Sequence, residues 1–554
     1  ELGRLSGAEY SPTCSPDIGQ KEVTVGMCAA GDMVYIALTD YLNSHRIAVY
    51  SASSGEKQRD ISISGPTGLA SDGETVYAGS AETTGGGALS VFRLESGEEV
   101  ARFDGGSLLS AADGRLCISD GTSAFEYDIA SGQLTRLFGF VSCGLSGRQV
   151  TVWPDGEGDY VAVGREAAAL LRYDENARPK TQLVLAVNGQ SSFISSSILE
   201  FNASGGEYEL AVKDYSGYSD PLTVLNTELI AGNGPDIIDV NSFSSTILNP
   251  DAMVDLLPLI EADPELGPGS LIDGALNAML TDDGRLPAIA PVYYVSTLVS
   301  RDADATPFTS VSDALERMGN ADEALGGTMS RGMFLTMAFG CGGAEDYDVA
   351  DIQAILEYAQ ALPDEEDHSS ETANMASGTQ IYSFQTIGGA GGLFGAAEDF
   401  GCSLEDLQVC GLPFREGSGT LVPVVYLAIP ASSKNVDAAF GFIKSLMLEE
   451  NTLYKNLELN AFPILSAEYE RLAEYEQQRI DAAEEGQYPW TYAKHYERAA
   501  EVLDGLNGLC CPDTALMGIV DDAVPAYFAG ASDASKTADE IVSRLGIYFA
   551  EKGN

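Results

Sequence analysis

The stretch LNTELIAGNGPDIIDV (residues 225–240) takes the chain from a helical pattern into a buried strand within a few residues. The helix is predicted to begin at Asp220–Pro221, because Asp is a favourable N-cap residue and Pro suits the first helical position. It is predicted to end at Gly232–Asn233–Gly234–Pro235, because Gly permits a left-handed cap and Pro cannot continue a helix. The run PDIIDV (235–240) then has the composition of a strand buried on both faces.

Two more strands and a helix are predicted immediately before this stretch. TQLVLAV (181–187) is a continuous apolar strand, a helical pattern of apolar residues covers 193–201, and YELAVKDYS (208–216) is a second strand. The order is therefore β-α-β-α-β. Short connections of this kind build a parallel, doubly wound α/β sheet.

Ligands of open α/β sheets bind outside the carboxyl ends of the strands. Two such ends in this chain carry small polar residues that can hydrogen-bond a ligand. Capping of the loops themselves is the alternative role of these side chains. The candidate ligand-binding residues at the strand ends are Asn188, Gln190, Asn241 and Ser242.

The first 180 residues have a different pattern, in which short β-rich runs alternate with Gly, Asp and Ser turns. The phrase VYSASSGE (49–56) recurs as FRLESGEE (92–99), as YDIASGQL (127–134) and more weakly as LRYDENAR (171–178). A repeat of about 35 to 43 residues is typical of four-stranded propeller blades, with each Ser-Gly turn joining the outer strands of a blade. We predict an all-β, propeller-like domain of about four units, which is at the low end for a closed ring.

The stretch LNTELIAGNGPDIIDV resembles the signature of the family 1 extracellular solute-binding proteins of ABC importers. Further stretches resemble that family in the same order: LPAIAPVYYVSTLVSR (286–301), VCGLPFREGSG (409–419), YLAIPASSKNVDAAFGFIKSLMLEEN (426–451) and VPAYFAGASDASKTADEIVSRLGIYFAE (524–551). The last is similar to the C-termini of Gram-positive members. The β-repeat region lies outside the resemblance, and some gut Firmicutes members carry such an extension.

The resemblance implies a multidomain chain, with the β-propeller-like repeats over 1–180 and a two-lobed α/β domain over 181–554. The two-lobed domain would have the type II periplasmic-binding-protein-like fold. Lobe one would comprise about 181–296 and 427–461, and lobe two about 297–426 and 462–554. Solute would bind in the cleft, and hinge closure would present the loaded protein to a membrane permease.

Aromatic side chains are the second group of candidate ligand contacts, because a sugar presents apolar C–H faces to a ring. Tyr293 and Tyr294 lie at the presumed hinge, and at least one is expected to face the cleft. The family places a wall of lobe two at Tyr382 and Phe384, and Trp490 belongs to the same lobe. Core packing is the competing role of these last three residues.

Charge and motifs argue against several classes of protein. The net charge of −53 at pH 7 disfavours binding to nucleic acid or to anionic membrane surfaces. The three His residues, His45, His368 and His495, lie far from any nucleophile-elbow pattern, and the sequence has no P-loop and no GxGxxG at a strand-to-helix turn. The CxxC spacing of zinc sites is missing too. We therefore predict no catalytic residues, no metal and no cofactor.

Nine Cys residues leave at least one thiol unpaired if all disulfides are internal. The vicinal pair Cys510–Cys511 is compatible with a redox-active disulfide. Two buried thiols at a helix end are the favoured interpretation.

The chain begins with Glu1 instead of Met, so we expect that something N-terminal has been removed. Its longest apolar run, LVPVVYLAIP (421–430), has about half the length that a membrane span requires. The family resemblance alone implies an extracellular monomer attached to the cell surface as a lipoprotein.

Three functions remain after these exclusions. The first is a receptor that delivers a small solute, with sugars or oligosaccharides as the leading class, to the permease of an ABC importer. The second is a surface interaction or sensor module whose β-repeat domain binds a protein or a glycan. The third is an enzyme such as a propeller dehydrogenase, which would need more blades and clustered Trp, whereas Trp153 is the single Trp of the repeat region.

Overall fold

The fold is described from a computed structural model, and it divides into two compact units. The first unit comprises residues 1–182 with 195–210, and the second comprises 183–194 with 211–554. The structure describes all residues except 1, 7–8, 15, 17, 19–21, 41–44, 82–87, 104–105, 121–122, 141–142, 144, 146–149, 156–158, 165–167, 173–179, 190–191, 205, 342, 449–459, 483–491, 512 and 553–554.

The first unit contains small antiparallel sheets made from consecutive strands. These strands are β1 Leu2–Ser6, β2 Glu9–Cys14, β3 Glu22–Ala30, β4 Met33–Asp40, β5 His45–Ser51, β6 Lys57–Ser62, β7 Pro66–Ser71, β8 Val76–Ala81, β9 Leu89–Arg93, β10 Glu99–Phe103, β11 Ser107–Ala112, β12 Arg115–Ser119, β13 Ser123–Asp128, β14 Leu134–Gly139, β15 Thr151–Pro154, β16 Tyr160–Val163 and β17 Ala168–Leu171. The sheet orders are β1-β2, β3-β4-β5-β6, β7-β8-β9-β10, β11-β12-β13-β14 and β15-β16-β17.

The repeated Ser-Gly phrases form the same turn in three successive sheets. Gly55, Gly97 and Gly132 have φ values of 74°, 69° and 71° and lie between the third and fourth strands of their sheets. Each donates its N–H to the carbonyl oxygen four residues earlier, at 2.8–2.9 Å. A positive φ favours Gly, which explains why the phrase recurs. Most of the weaker fourth copy (171–178) lies outside the described residues.

The first strand of each four-stranded sheet carries a β-bulge at the same place. The register against the second strand shifts just before Gly26, Gly68 and Ser110, which are 42 residues apart along the chain. A Cβ at Gly26 would lie 3.0 Å from the backbone nitrogen of Leu69 in the next sheet. Glycine at the bulge therefore lets the first strands of neighbouring sheets approach closely.

Successive sheets pack face to face through separate apolar clusters. Ile47 of the first four-stranded sheet shares a cluster with Val76 of the second, and Leu89 of the second shares one with Leu116 of the third. The repeats thus form a row of stacked sheets. The sheets are small and, over the described residues, none of them closes, so a closed propeller ring is not shown.

The rest of the chain alternates helices with short strands. The strands are β18 Thr181–Val187, β19 Tyr208–Asp214, β20 Ile237–Asp239, β21 Ala288–Ile289, β22 Val292–Ser300, β23 Tyr382–Ile387, β24 Gln408–Gly411, β25 Gly419–Pro423, β26 Leu427–Ala428, β27 Phe462–Pro463 and β28 Leu506–Leu509. The helices are α1 Ser192–Ala203, α2 Pro221–Ile230, α3 Val240–Phe243, α4 Leu257–Ala262, α5 Asp273–Met279, α6 Val311–Met318, α7 Ala321–Leu325, α8 Arg331–Gly340, α9 Val349–Gln360, α10 Glu371–Ser377, α11 Ala390–Asp399, α12 Val436–Leu448, α13 Ser466–Ala482, α14 Tyr492–Asp504, α15 Thr514–Phe528 and α16 Ala534–Lys552.

Helix α2 begins and ends where the sequence predicts. The side chain of Asp220 caps it by accepting the N–H of Thr223 at 3.1 Å, and Pro221 is its first residue. The helix ends just before Gly232, whose φ is 70°. The buried strand β20 follows within seven residues of the helix end, so the opening stretch is a helix–turn–strand unit.

The five-stranded sheet of the second unit has the order β19-β18-β20-β26-β21. Strands β18 and β20 are parallel, with Leu185 opposite Ile237, as the β-α-β order predicts. Strand β26, however, is antiparallel to both β20 and β21. The predicted β-α-β-α-β run does not include this strand, which returns from residue 427 and makes the sheet mixed.

The other sheet of the second unit has the order β23-β22-β25-β28, and β24 and β27 also pair with β22. Leu298 of β22 joins Phe334 of α8 and Ile352 of α9 in one buried core. The chain passes from the five-stranded sheet to this one between β21 and β22, and it passes back between β25 and β26. The two sheets are therefore joined by short crossings near residues 290 and 425.

Candidate functional site

Polar residues at the carboxyl edge of the five-stranded sheet lie together. The backbone N–H of Asn188, after β18, donates to Ser242 Oγ at 2.9 Å. Ser242 Oγ in turn donates to the carbonyl oxygen of Asp239 at 2.8 Å. Asn241 is exposed, and its Nδ2 donates to the carbonyl oxygen of Pro423 at 3.2 Å. The structure thus brings three predicted residues to one polar rim, and it places that rim beside the crossing from β25 to β26.

Asp214 is a rim residue that sequence reasoning missed. It is the exposed last residue of β19, and its Oδ1 accepts the N–H of Gly189 at 2.9 Å. Hydrogen bonds from the backbone N–H groups of Ser216 and Gly189 hold the pKa of Asp214 below its usual range. The sequence contains a signal for Asp214. This residue stands at the end of the strand-forming run YELAVKD (208–214), just as Asn188 stands at the end of TQLVLAVN (181–188).

Asp239 lies beneath this rim and is only 2% exposed. Burial raises the pKa of its carboxyl to about 6, although hydrogen bonds from the backbone N–H groups of Tyr426, Asn241 and Ser242 act in the opposite direction. Its Oδ1 lies 3.4 Å from the backbone nitrogen of Tyr426. A buried carboxyl therefore joins the rim to the strand β26.

The burial of Asp239 is expected to make the second unit more stable at pH 5 than at pH 7. Between its ordinary pKa of 3.8 and about 6, the folded chain keeps a proton that the unfolded chain releases, so stability falls as pH rises through this window. The loss amounts to about 3 kcal/mol over the whole titration when the shift is converted, and roughly 1 kcal/mol of it falls between pH 5 and pH 7. Urea unfolding at several pH values should show that Asp239→Asn removes this component.

Asp220 provides a control of opposite sign for that experiment. Hydrogen bonds from the Thr223 hydroxyl and N–H lower its pKa, so its contribution is lost as pH falls, and Asp220→Asn should flatten the curve below pH 4. A pH dependence that is the same in Asp239→Asn and in the parent chain would contradict the role of Asp239.

The structure places most of the predicted aromatic contacts in the core. Tyr293 is 0% exposed, and its ring centroid lies 6.0 Å from that of Phe462. Tyr382 is buried with its centroid 5.7 Å from that of Phe308, and Phe384 is partly buried against the same core. Tyr293 and Tyr382 are not open to a solute in this structure, because β22 and the start of β23 are buried on both faces, whereas Phe384 keeps part of its surface exposed.

Tyr294 is partly exposed as well. Its ring lies close to Gly388, where a Cβ would meet Tyr294 Cδ1 at 3.2 Å. Gln190 and Trp490 lie outside the described residues, so both remain predictions.

A cavity of about 210 Å³ is lined on one side by Ser245 and Ala278. On its opposite side lie residues that pack with the sheet of β22, among them Phe339. Arg415 lines it and forms an ion pair with Glu345 at 3.0 Å. Glycines make room for the guanidinium, because a Cβ at Gly343 would lie 2.5 Å from its Nη2. Cavities for drug-sized ligands have about 300–1,000 Å³, so this one suits a small solute.

Helix α15 presents its N-terminus to the same cavity. Asp513 lines the cavity, caps α15 by accepting the N–H of Ala515 at 3.0 Å, and also accepts a hydrogen bond from the hydroxyl of Tyr548. The N–H of Thr514 donates to Ser244 Oγ at 3.1 Å. This last bond connects α15 to the segment that follows the rim residues Asn241 and Ser242.

A disulfide joins two elements beside this cavity. Cys341, at the end of α8, is bonded to Cys510, just after β28, while the neighbouring Cys511 is buried and is not part of this bond. The preferred interpretation of Cys510 and Cys511 as two buried thiols is therefore wrong for Cys510. Its partner is 169 residues away in sequence, which local sequence patterns cannot reveal.

Arg415 and Glu345 were also missed from the sequence. A signal for Arg415 existed, because it is the single basic residue in VCGLPFREGSG (409–419), between turn-forming Pro and Gly. Over the described part of the chain, no three His, Cys, Asp or Glu side chains come together as a metal site. None of the described helices combines the length and apolarity that a membrane span requires.

No family model matches the chain, and no curated protein matches it. Solved structures of solute-binding proteins do. A family 1 extracellular solute-binding protein from Alicyclobacillus acidocaldarius is 14% identical, with 67% of this chain and 98% of that chain covered and a TM-score of 0.40. The sugar-binding protein MalE from Xanthomonas citri is 13% identical, with 67% and 98% covered and a TM-score of 0.43.

A third match is the ABC substrate-binding protein Lmo0181 from Listeria monocytogenes, solved in complex with cycloalternan. It is 15% identical, with 66% of this chain and 100% of that chain covered and a TM-score of 0.40. Similarities at this level of identity and TM-score do not establish membership of a family.

Proposed function

We propose that the chain is an extracellular receptor that binds a small solute, a carbohydrate, and delivers it to an ABC importer. The observation that carries the proposal is the hydrogen bond from Asn241 to Pro423. It ties the polar rim of one sheet to the crossing that leads into the other sheet. A ligand at the rim would therefore act directly on the segment where one half of the unit joins the other.

The proposed lobes are 181–296 with 427–461, and 297–426 with 462–554. The crossings near residues 290 and 425 are the hinge in this proposal, since they are the short connections between the two sheets. Solute contacts from both sides of the cavity at Arg415 would favour the closed state, because a ligand shifts the population toward the state that it contacts more.

A carbohydrate fits the groups available at the proposed site. Asn241 and Ser242 offer neutral donors and acceptors, and Asp214, Arg415 and Glu345 offer charged ones that hydrogen-bond sugar hydroxyls. Tyr294 is one of the described aromatic candidates that are partly exposed, and its ring would pack on a sugar face. The sequence resemblance to solute-binding proteins supports the same solute class.

The remaining parts of the proposal concern the surroundings of the receptor. The partners are the membrane subunits of an ABC permease, the chain is a monomer, and it is attached to the outer cell surface as a lipoprotein. No catalytic step and no cofactor belong to the proposal. Residues 1–180 form a propeller-like domain in it, and an alternative function, a surface interaction or sensor module, would use that domain to bind a protein or glycan.

Calorimetric titration of the full chain with sugars, polyols, amino acids and short peptides tests the proposal. One sugar is expected to bind, and Asn241→Ala is expected to weaken it about tenfold, because a lost hydrogen bond of about 1.4 kcal/mol corresponds to that factor. Asn233→Ala is the matched control, since Asn233 is an exposed turn residue after α2.

Two results would count against a receptor for carbohydrate. One is the absence of binding to any sugar by protein shown to be free of co-purified ligand. The other is equal weakening by Asn233→Ala and Asn241→Ala, which would mean that the rim does not contact the solute.

A further inference from the structure

A cavity of about 710 Å³ lies in the first unit where its sheets converge. It is lined by β3, β7, β11 and β15, and each of these is the terminal strand of its own sheet. One edge of each strand therefore has no pairing within its sheet. Unpaired strand edges present a row of N–H donors and C=O acceptors, so the cavity is surrounded by hydrogen-bonding groups from four sheets.

The lining of this cavity is uncharged. None of the described residues that line it is Asp, Glu, Lys, Arg or His, although charged residues make up 20% of the chain and the net charge is −53. Burying an ion without a partner is strongly unfavourable. A ligand of this cavity should therefore be neutral.

The lining also combines exposed apolar surface with hydroxyl groups. Trp153 is 45% exposed and Met27 is 57% exposed. Thr24, Ser107 and Thr151 add hydroxyls from three of the four sheets. An aromatic ring for C–H faces, with hydroxyls and peptide groups around it, is the environment that sugars bind.

Ser110 is the most informative residue of the lining. It occupies the bulge position that Gly26 and Gly68 occupy in the two preceding sheets. Its side chain is only 4% exposed, and among the described residues its Oγ has no hydrogen-bond partner apart from the neighbouring Cys117 thiol. A buried hydroxyl normally has a partner, so a ligand hydroxyl would complete its hydrogen bonding once the Ser110 side chain turns toward the cavity that it lines.

From these observations we infer that the first unit holds a second binding site, for a neutral saccharide. The saccharide stacks on Trp153 and hydrogen-bonds Ser110 and the free edges of the four inner strands. A peptide is the less suitable ligand, because an added strand pairs along the length of one edge, whereas here four short edges surround one space. The inference concerns residues 24–153 and does not depend on the proposed function of the second unit.

Tryptophan fluorescence of the full chain tests this site. The chain has two Trp residues, so the variant Trp490→Phe leaves Trp153 as the single reporter. Neutral gluco-, galacto- and manno-oligosaccharides are titrated up to millimolar concentration. At least one is expected to shift the Trp153 emission saturably, and the corresponding oligouronate is expected to bind at least tenfold more weakly.

Three variants connect the signal to the cavity and separate it from the second unit. Ser110→Ala should weaken the saccharide about fivefold without changing the melting temperature, and Trp153→Ala should weaken it at least tenfold in calorimetry. Asn241→Ala should weaken binding by the second unit about tenfold in calorimetry and leave the Trp153 response unchanged. The inference is overturned if no neutral saccharide shifts the emission, if the oligouronate or an uncharged Gly-Ser peptide binds as well, or if Asn241→Ala abolishes the signal.

Discussion

Replacing Cys341 with Ser is expected to lower the free energy of unfolding of the second unit by up to about 5 kcal/mol. The disulfide to Cys510 closes a loop with a sequence separation of 169 residues. In the chain-entropy model, a cross-link over such a loop stabilises the fold by about 5 kcal/mol, because it restricts the unfolded chain. Urea unfolding followed by far-UV circular dichroism, without reductant, measures the difference.

Cys402→Ser is the matched control for this substitution. Cys402 is a partly buried free thiol in the same unit, so its replacement removes a sulfur atom and no cross-link. We expect it to change stability by less than about 1 kcal/mol. Two results would show that the cross-link does not form in solution. One is equal stability of Cys341→Ser and the parent chain, and the other is an unfolding midpoint of the parent chain that does not change when reductant is added.

The cross-link also bears on the candidate site. Cys341 and Cys511 line the same cavity as Arg415. Loss of the disulfide would therefore loosen a wall of that cavity. We therefore expect Cys341→Ser to weaken solute binding as well as to lower stability. A disulfide of this span is typical of proteins in oxidising compartments, which supports the proposed extracellular location.

Local chemistry was predictable from the sequence wherever a few neighbouring residues decide it. Asp220–Pro221 starts α2 and Gly232 follows its end, because capping and positive φ are properties of single positions. The Ser-Gly turns of the β-repeats follow the same logic. The polar rim was predictable too, because the residue after a buried strand lies at the edge of its sheet regardless of how the rest of the chain folds.

Properties that depend on distant partners were not predictable in this way. Tyr293 was expected near the cleft. Its exposure, however, depends on Phe462, which packs against its ring and comes from a segment 169 positions later in the sequence. The position of Arg415 depends on Gly343 and Gly508, which come from other elements. Strand β26 joins the five-stranded sheet in antiparallel orientation from a segment far along the chain. The helix and strand periodicity of the sequence therefore did not indicate this pairing.

Substituting Gly274 with Ala is expected to lower the free energy of unfolding of the second unit by about 3 kcal/mol. Gly274 is buried in α5, and a Cβ there would overlap the carbonyl oxygen of Leu503 near the end of α14. The obstacle is backbone and cannot rotate away, so the two helices must move apart, and overpacking of this kind destabilises by a few kcal/mol. Thermal and urea unfolding of the variant measure the effect.

Gly441→Ala provides a control of opposite sign. Gly441 is exposed inside α12, and a Cβ there would meet nothing within 4 Å. We expect this substitution to stabilise the chain by about 0.5–1 kcal/mol, because Ala favours a helix interior over Gly. In the proposed division, α5 belongs to lobe one and α14 to lobe two, so Gly274→Ala should also weaken solute binding while Gly441→Ala leaves it unchanged. Equal stability of the two variants would show that α5 and α14 do not pack this closely.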